Sequence, residues 1–248
     1  MTDHVQPDWP APANVRALTT TRAGGSSQAG WKSLNLALHV GDDAQRVQQN
    51  RRSLSEAFAL PAEPVWLEQV HGTTVVSLGA DRPAVPPQAD GAWTATAGIV
   101  CCVMTADCLP VMLCDAAGTR VGIAHAGWRG LADGVIDASV AAMGVGSADS
   151  LLAWLGPAIS QPAYEVGHEV RAAFIAQDPS TEAAFEANAN GRWQADLYAI
   201  ARMTLSRLGV TAVYGGDFCT HRDARRFFSH RREAHCGRMA SLIWLDSA

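Results

Sequence analysis

The chain of 248 residues is long enough to bury a sizeable core, and 48% of its residues are hydrophobic, as in a compact globular protein. Its net charge of −5 argues against a nucleic-acid-binding protein, because such proteins usually present a basic face. The six cysteines include no CxxC pair, which argues against a zinc ribbon and a thioredoxin-type redox centre. We expect a single domain spanning residues 1–248.

The N-terminal segment MTDHVQPDWPAPANV has acidic residues and prolines where a signal peptide has a basic start and an apolar core. We therefore expect a cytoplasmic protein whose cysteines are free thiols. Residues 97–114 are the one candidate membrane span, but Asp107 and Pro110 lie near its middle. A central aspartate costs roughly 2.5 to 3.5 kcal/mol on insertion scales, so we predict two buried strands there and no membrane partner.

The first half of the chain predicts several strands and one helix. VRALTTTR is a β-branched run typical of a strand, and a Gly/Ser loop follows it. Val47, Leu54 and Phe58 recur at helical spacing, and Pro61 ends that helix. VWLEQVHGTTVVSLG predicts two short strands broken at Gly72, whereas AGIVCCVMTADC and TRVGIAHAG predict buried apolar strands.

The second half contributes more helix. GLADGVIDASVAAMG predicts one helix ending near Gly144, and GHEVRAAFIAQ predicts another. In DLYAIARMTLSRLG, Asp196 is the expected N-cap and Gly209 the expected C-cap. SLLAWLG, TAVYGG and ASLIWLD predict strands. Because strands and helices are interspersed, we predict an α/β or α+β fold with mixed sheets.

Three residues of types that commonly bind metals stand at or near the ends of apolar strands: His71, Cys108 and His125. Strand ends on one edge of a sheet converge, and active sites concentrate there. Two imidazoles and one thiolate suit zinc and leave a fourth position open, as in catalytic sites. On spacing alone a role in the core is favoured for all three, because no short metal-binding spacing such as HxxxH is present.

Charged residues elsewhere are candidates for the rest of a site. Asp107 interrupts an apolar run and must be solvated or paired, so it could orient a histidine or act as a general base. Asp90 is a second candidate carboxylate, although ADG is also common in turns. Arg129, just ahead of a predicted helix, and Arg22, before a Gly/Ser loop, are candidate anion contacts. His230 lies in CTHRDARRFFSHRR, whose arginine and aromatic side chains suit a base or an anion.

Several ordered blocks carry a family resemblance, from about residue 20 to about residue 245: LEQVHG, ADG, TADCLPVML, AHAGWRG, LGPAIS with YEVGHEV, and FFSHRR followed by GRMASLIWL. Together they resemble the YfiH-like family, also called the laccase-domain or peptidoglycan-editing-factor family. The resemblance implies a layered α/β sandwich with mixed sheets covered by helices, and a single metal site made by His71, Cys108 and His125. Zinc fits these ligands better than the copper of the family's older polyphenol oxidase description, because a multicopper centre needs many histidine pairs.

The resemblance also implies phosphorolysis of adenosine, inosine or methylthioadenosine to the free base and ribose 1-phosphate, with adenosine deamination and peptidoglycan editing as further roles. The implied partners are small purine nucleosides and phosphate. In this hypothesis Asp107 moves a proton during deamination, whereas Arg22 and Arg129 hold phosphate against C1′. His230 and Cys236 stand where Tyr and Thr are common in the family, and they bear on the choice among substrates.

Besides the copper-dependent polyphenol oxidase of the family's older description, two other interpretations stay open. Cys108, activated by His125 and oriented by Asp107, could be the nucleophile of an amide hydrolase that acts on muropeptides. A metal-stabilised binding protein that acts through a partner would use the same ligands without turning over a substrate.

Overall fold

The structure is a computed structural model that describes residues 3–246, and it contains strands and helices interspersed along the chain. Their bounds are, in chain order, β1 (His4–Val5), β2 (Val15–Thr20), α1 (Ala44–Ala57), β3 (Val75–Ser77), β4 (Gly91–Thr94), β5 (Cys101–Thr105), β6 (Leu109–Asp115), β7 (Val121–Ala126), α2 (Trp128–Asp133), α3 (Val135–Met143), β8 (Leu151–Leu155), β9 (Glu165–Val166), α4 (His168–Gln177), β10 (Phe185–Ala187), β11 (Trp193–Ala195), α5 (Leu197–Arg207), β12 (Ala212–Gly215) and β13 (Met239–Leu245).

Two large sheets form the centre of the molecule. The four-stranded sheet has the order β1-β2-β13-β5 and is antiparallel throughout. The six-stranded sheet has the order β12-β8-β6-β7-β4-β3 and is mixed, because its two outer pairs are parallel and its inner pairs antiparallel. A small antiparallel sheet, β10-β11-β9, lies outside both.

The side-chain alternation of the strands builds the layers. In β5, Cys101 and Val103 join the apolar core shared with the six-stranded sheet, whereas Cys102 and Met104 face the cluster that contains Leu54 of α1. The opposite face of the six-stranded sheet packs on residues of α2 to α5. The predicted mixed α/β class and the layered sandwich covered by helices are therefore confirmed.

Several element predictions are confirmed and two are wrong. Asp196 caps α5 through a side-chain bond to the Ala199 N–H, and Gly209 follows that helix with φ 85°. The single helix expected in GLADGVIDASVAAMG is two helices, because Gly134 adopts a left-handed conformation with φ 96° between them. The strand expected in VWLEQVHG is reduced to isolated bridges at Val65 and Glu68.

Residues 97–114 belong to the end of a loop, to β5 and to β6, in agreement with the prediction of two buried strands. Within the described residues, no helix is both long enough and apolar enough to cross a membrane. Strand β4 was not predicted, because the ADG at its start has the composition of a turn.

Candidate functional site

His71, Cys108 and His125 come together at one edge of the six-stranded sheet, and their ligand-type atoms all lie within 4.8 Å of one another. We call these three residues the His–Cys–His cluster. Cys108 Sγ lies 3.9 Å from His71 Nε2, and the two imidazole centroids are 4.8 Å apart. Over residues 3–246 this is the one such group of three potential metal ligands.

The strand register explains why these residues meet. Pro110 of β6 is opposite His125 of β7, so Cys108, just before β6, lies beside the end of β7. Gly127 leaves room for His71, the third residue of the cluster. A Cβ at position 127 would lie 2.7 Å from His71 Cδ2 and 3.1 Å from Cys108 Sγ. The turns on either side are sharp: His71 has φ 62° and Asp107 has φ 95°, values that few non-glycine residues adopt.

Asp90 lies beneath the His–Cys–His cluster and organises it. Its fully buried carboxylate accepts a 2.7 Å hydrogen bond from His125 Nδ1 and three more from the backbone N–H groups of Val70, His71 and Gly72. This explains why VWLEQVHG is not a regular strand, since these N–H groups bind a side chain. Donation by Nδ1 leaves Nε2 of His125 as the atom that can bind a metal.

The electrostatics of the cluster follow from these contacts. Burial opposes charge on the Cys108 thiol, but the charge and hydrogen bonds of His125 and His71 outweigh it and lower the pKa of Cys108 to about 6. Burial likewise opposes charge on His125, whereas Cys108 and Asp90 raise its pKa to about 9. Burial raises the pKa of Asp90, yet the bonds from His125 and the backbone bring it below its ordinary value.

Asp107, the predicted proton shuttle, has both carboxylate oxygens bound by another segment of the chain. Its carboxylate accepts hydrogen bonds from Thr220 Oγ1 at 2.6 Å, Ser229 Oγ at 3.0 Å and the Arg231 N–H at 2.7 Å. These three groups belong to the segment 219–232, which is distant in sequence. Asp107 therefore ties this segment to the turn that carries Cys108.

A cavity of about 430 Å³ opens beside the His–Cys–His cluster. Polar and charged side chains form much of its wall, together with a few apolar ones. Besides the cluster, the lining residues are His39, Gln69, Met104, Thr105, Ala106, Asp107, Trp128, Arg129, Ile159, Tyr164, Leu197, His230, Arg231 and Arg238. A volume of this size is typical of small-molecule sites.

Two of the predicted substrate contacts, Arg129 and His230, line this cavity, and two do not. Arg22 lies outside the lining, where its guanidinium donates to the backbone carbonyls of Lys32 and Ala224 and stacks on Phe228. The role of Arg22 as a phosphate contact stays a prediction, for which the described contacts offer no direct support. Asp90 is placed under the cluster, where its buried oxygens bind protein groups, so the structure gives it a positioning role.

Sequence reasoning missed several cavity residues, among them Tyr164, Arg231 and Arg238. Arg231 had a signal, because it directly follows His230 in a segment that suits anions. Tyr164 opens the family block YEVGHEV, but its place in the cavity wall was not foreseen, because it lies at the end of a short turn next to the small third sheet. Cys236, one of the two departures from the family pattern, is buried behind the wall and borders Arg238.

The donor set of the His–Cys–His cluster fits a metal ion. One thiol of lowered pKa and two imidazoles are within reach of a single centre, and Asp90 fixes the second imidazole from behind, as carboxylates do at zinc sites. A single set of three ligands suits one ion, whereas several copper centres would require more histidines.

A family model described as multi-copper polyphenol oxidoreductase laccase matches residues 16–246. A Pseudomonas aeruginosa protein named purine nucleoside phosphorylase is 55% identical, and the match covers 97% of each chain. The Escherichia coli purine nucleoside phosphorylase YfiH is 48% identical over 99% of this chain and 100% of its own length.

Solved structures agree with these matches. A Neisseria meningitidis protein of 50% identity superposes with a TM-score of 0.94 over 98% of this chain and 99% of its own. YlmD from Geobacillus stearothermophilus, at 32% identity, gives a TM-score of 0.88 over 96% of this chain and 94% of its own.

Proposed function

The chain belongs to the multi-copper polyphenol oxidoreductase laccase family, whose members include the YfiH proteins, and from this premise we propose that it is a purine nucleoside phosphorylase. In this reaction a phosphate oxygen attacks C1′ of the nucleoside and the bond from C1′ to the purine nitrogen breaks. The electron pair leaves with the base, which takes up a proton, and ribose 1-phosphate remains, or its 5′-methylthio derivative when methylthioadenosine is the substrate. The proposed substrates are adenosine, inosine and methylthioadenosine.

The observation that carries this proposal is the composition of the cavity. One wall holds the His–Cys–His cluster, and the others combine aromatic and aliphatic side chains with Arg129, Arg231 and Arg238. Flat apolar surface suits a purine, and guanidinium groups suit a phosphate. The names of the relatives point to the same pair of ligands.

The chain's own residues would act mainly by binding and orienting. Arg129 would neutralise the incoming phosphate, and Trp128 and Leu197 would exclude water around the base. Asp90 would keep His125 in one orientation throughout the cycle. Zinc held by His71, Cys108 and His125 would supply a Lewis acid beside the substrate.

Phosphorolysis fits the cavity better than deamination does. A zinc deaminase uses a carboxylate to shuttle protons, and the carboxylate of Asp107, the one acidic residue in the lining, is occupied by Thr220, Ser229 and the Arg231 N–H. Adenosine deamination therefore stays a minor part of the proposal. We assign the activity to one catalytic domain of residues 1–248, because the cavity draws on residues from His39 to Arg238.

The test is chromatographic. Purified, metal-analysed protein is incubated with adenosine, with and without phosphate, and adenine, inosine and ribose 1-phosphate are followed. Adenine that appears only with phosphate supports the phosphorylase, whereas inosine without phosphate supports a deaminase. Protein that carries stoichiometric zinc and forms neither product contradicts the proposal. The six free thiols fit a reducing compartment, so the proposal places the enzyme in the cytoplasm.

One observation favours a second candidate, a cysteine-dependent amide hydrolase acting on muropeptides. Cys108 has a lowered pKa, His125 is next to it, and Asp90 binds the far nitrogen of His125 at 2.7 Å. This is the order of groups in a Cys-His-Asp triad, with Asp90 in the orienting role that the sequence had suggested for Asp107. A covalent acyl adduct at Cys108 in metal-free protein would support this candidate, and the absence of an adduct during turnover of a muropeptide amide would exclude it.

A further inference from the structure

We propose that Tyr164 and Arg231 complete, together with Arg129, a phosphate subsite in the wall of the cavity. Tyr164 begins the block YEVGHEV and Arg231 lies in FFSHRR, but neither was among the predicted site residues. The inference rests on the proposed function, because it names the groups that would hold the second substrate of phosphorolysis. Its ligand is a tetrahedral phosphate group that bears two negative charges or nearly so.

The charge balance of the cavity favours an anion. Three arginines line it, and the one carboxylate in the lining, Asp107, has its oxygens taken by protein donors. Among residues 3–246, the three arginines therefore have no acidic partner inside the cavity. A concave wall with charge of one sign attracts ligands of the other sign.

Of the three arginines in the cavity lining, Arg129 has the largest number of N–H donors without a partner among residues 3–246. Within residues 3–246 its guanidinium has no hydrogen-bond or ion-pair partner, and Cζ lies 4.4 Å from the centroid of the Trp128 ring. Stacking holds the plane of the guanidinium without using its N–H groups. Those groups can bind two oxygens of one phosphate at once.

Arg231 is held in place by groups outside the subsite. Its backbone N–H donates to Asp107, one guanidinium nitrogen donates to the Glu165 carbonyl at 2.7 Å, and Cζ lies 5.2 Å from the Tyr164 ring centroid. These contacts leave its other guanidinium nitrogens free, so Arg231 presents a preorganised charge.

Tyr164 supplies a neutral donor in the same cavity wall. Its hydroxyl has no hydrogen-bond partner in the part of the chain that the structure describes, although the side chain lines the cavity. Burial and the nearby Cys108 raise the pKa of Tyr164, while the charges of Arg231 and Arg129 oppose that rise. The hydroxyl thus keeps its proton and can donate it to a phosphate oxygen.

The test compares Tyr164→Phe, which removes one oxygen and keeps the ring that supports Arg231, with Arg231→Gln. Tyr214→Phe is the matched control: Tyr214 is a partly buried tyrosine on β12, outside the cavity lining, and its hydroxyl is also without a partner among residues 3–246. KM values for phosphate and for adenosine are measured separately. Binding of inorganic phosphate alone is followed by calorimetry.

We expect Tyr164→Phe to raise KM for phosphate and the dissociation constant of inorganic phosphate by about tenfold, the usual effect of losing a hydrogen bond to a charged group. Arg231→Gln should raise both by a similar factor or more. For Tyr164→Phe, KM for adenosine should stay within twofold of the wild-type value. Its urea midpoint should equal that of the wild type within experimental error. Tyr214→Phe should match the wild type in every measurement.

Three results would overturn the subsite. The first is wild-type KM and wild-type calorimetric affinity for phosphate in Tyr164→Phe. The second is a parallel rise of both KM values, which indicates general damage to the cavity. The third is a variant whose affinity for adenosine 5′-monophosphate falls while its affinity for inorganic phosphate is unchanged. That result would assign these residues to the binding of a nucleotide. If the wild type forms no adenine from adenosine and phosphate, the proposed function itself fails, and calorimetry with inorganic phosphate still judges the subsite.

Discussion

Replacement of Asp90 by asparagine is the perturbation with the largest expected effect on the His–Cys–His cluster. The carboxylate accepts four hydrogen bonds, two on each oxygen, from groups that include His125 Nδ1 and the His71 N–H. An amide keeps one accepting oxygen and turns the other into a donor, so two buried donors lose their partner. Each buried donor left unpaired costs about 1–3 kcal/mol, which predicts a loss of about 2–6 kcal/mol in the free energy of unfolding.

The same change should weaken metal binding. Because Asp90 sets the orientation of His125 and the position of the His71 loop, we expect the zinc affinity of Asp90→Asn to fall by about 10- to 100-fold. Urea unfolding of the metal-free protein measures stability, and competition with a chelator measures affinity. Asp149→Asn is the control, since Asp149 is exposed and its change should stay within about 0.5 kcal/mol. An Asp90→Asn protein with the stability and zinc affinity of the wild type would refute this account of the site.

Three further predictions follow from the contacts around the cluster. Asp107→Asn should lower the urea midpoint and raise KM for phosphate, because its carboxylate anchors the segment that carries part of the cavity wall; a loss of kcat alone, with unchanged stability, would instead favour a proton shuttle. In metal-free protein, alkylation of Cys108 by iodoacetamide should rise with a midpoint near pH 6, since the neighbouring histidines lower the pKa of this thiol to about 6. A midpoint near pH 9 would contradict that. Gly127→Ala should weaken zinc binding, because its Cβ would lie 2.7 Å from the His71 ring. Gly79→Ala, where a Cβ meets open space, should leave zinc affinity unchanged.

Local sequence patterns were sufficient where local forces dominate. The apolar runs of β5, β6 and β7, the 3.6-residue periodicity of α1 and the Asp196 cap of α5 were all recognisable from the chain. They failed where a distant partner overrode the pattern. VWLEQVHG predicts a strand, but its last N–H groups bind the carboxylate of Asp90, about 20 residues away.

The same distinction between local patterns and distant partners applies to the candidate site. The residue types of His71, Cys108 and His125, their places at strand ends and the family blocks around them can be found in the sequence alone, because each depends on the identity of neighbouring residues. The roles of Asp90 and Asp107, the absence of Arg22 from the cavity lining and the presence of Tyr164 in it depend on sheet register and on contacts between segments 18 to 124 residues apart. The chemistry of a side chain follows from its residue type alone. The partner that satisfies its hydrogen bonds depends on packing, and packing is a property of the whole folded chain.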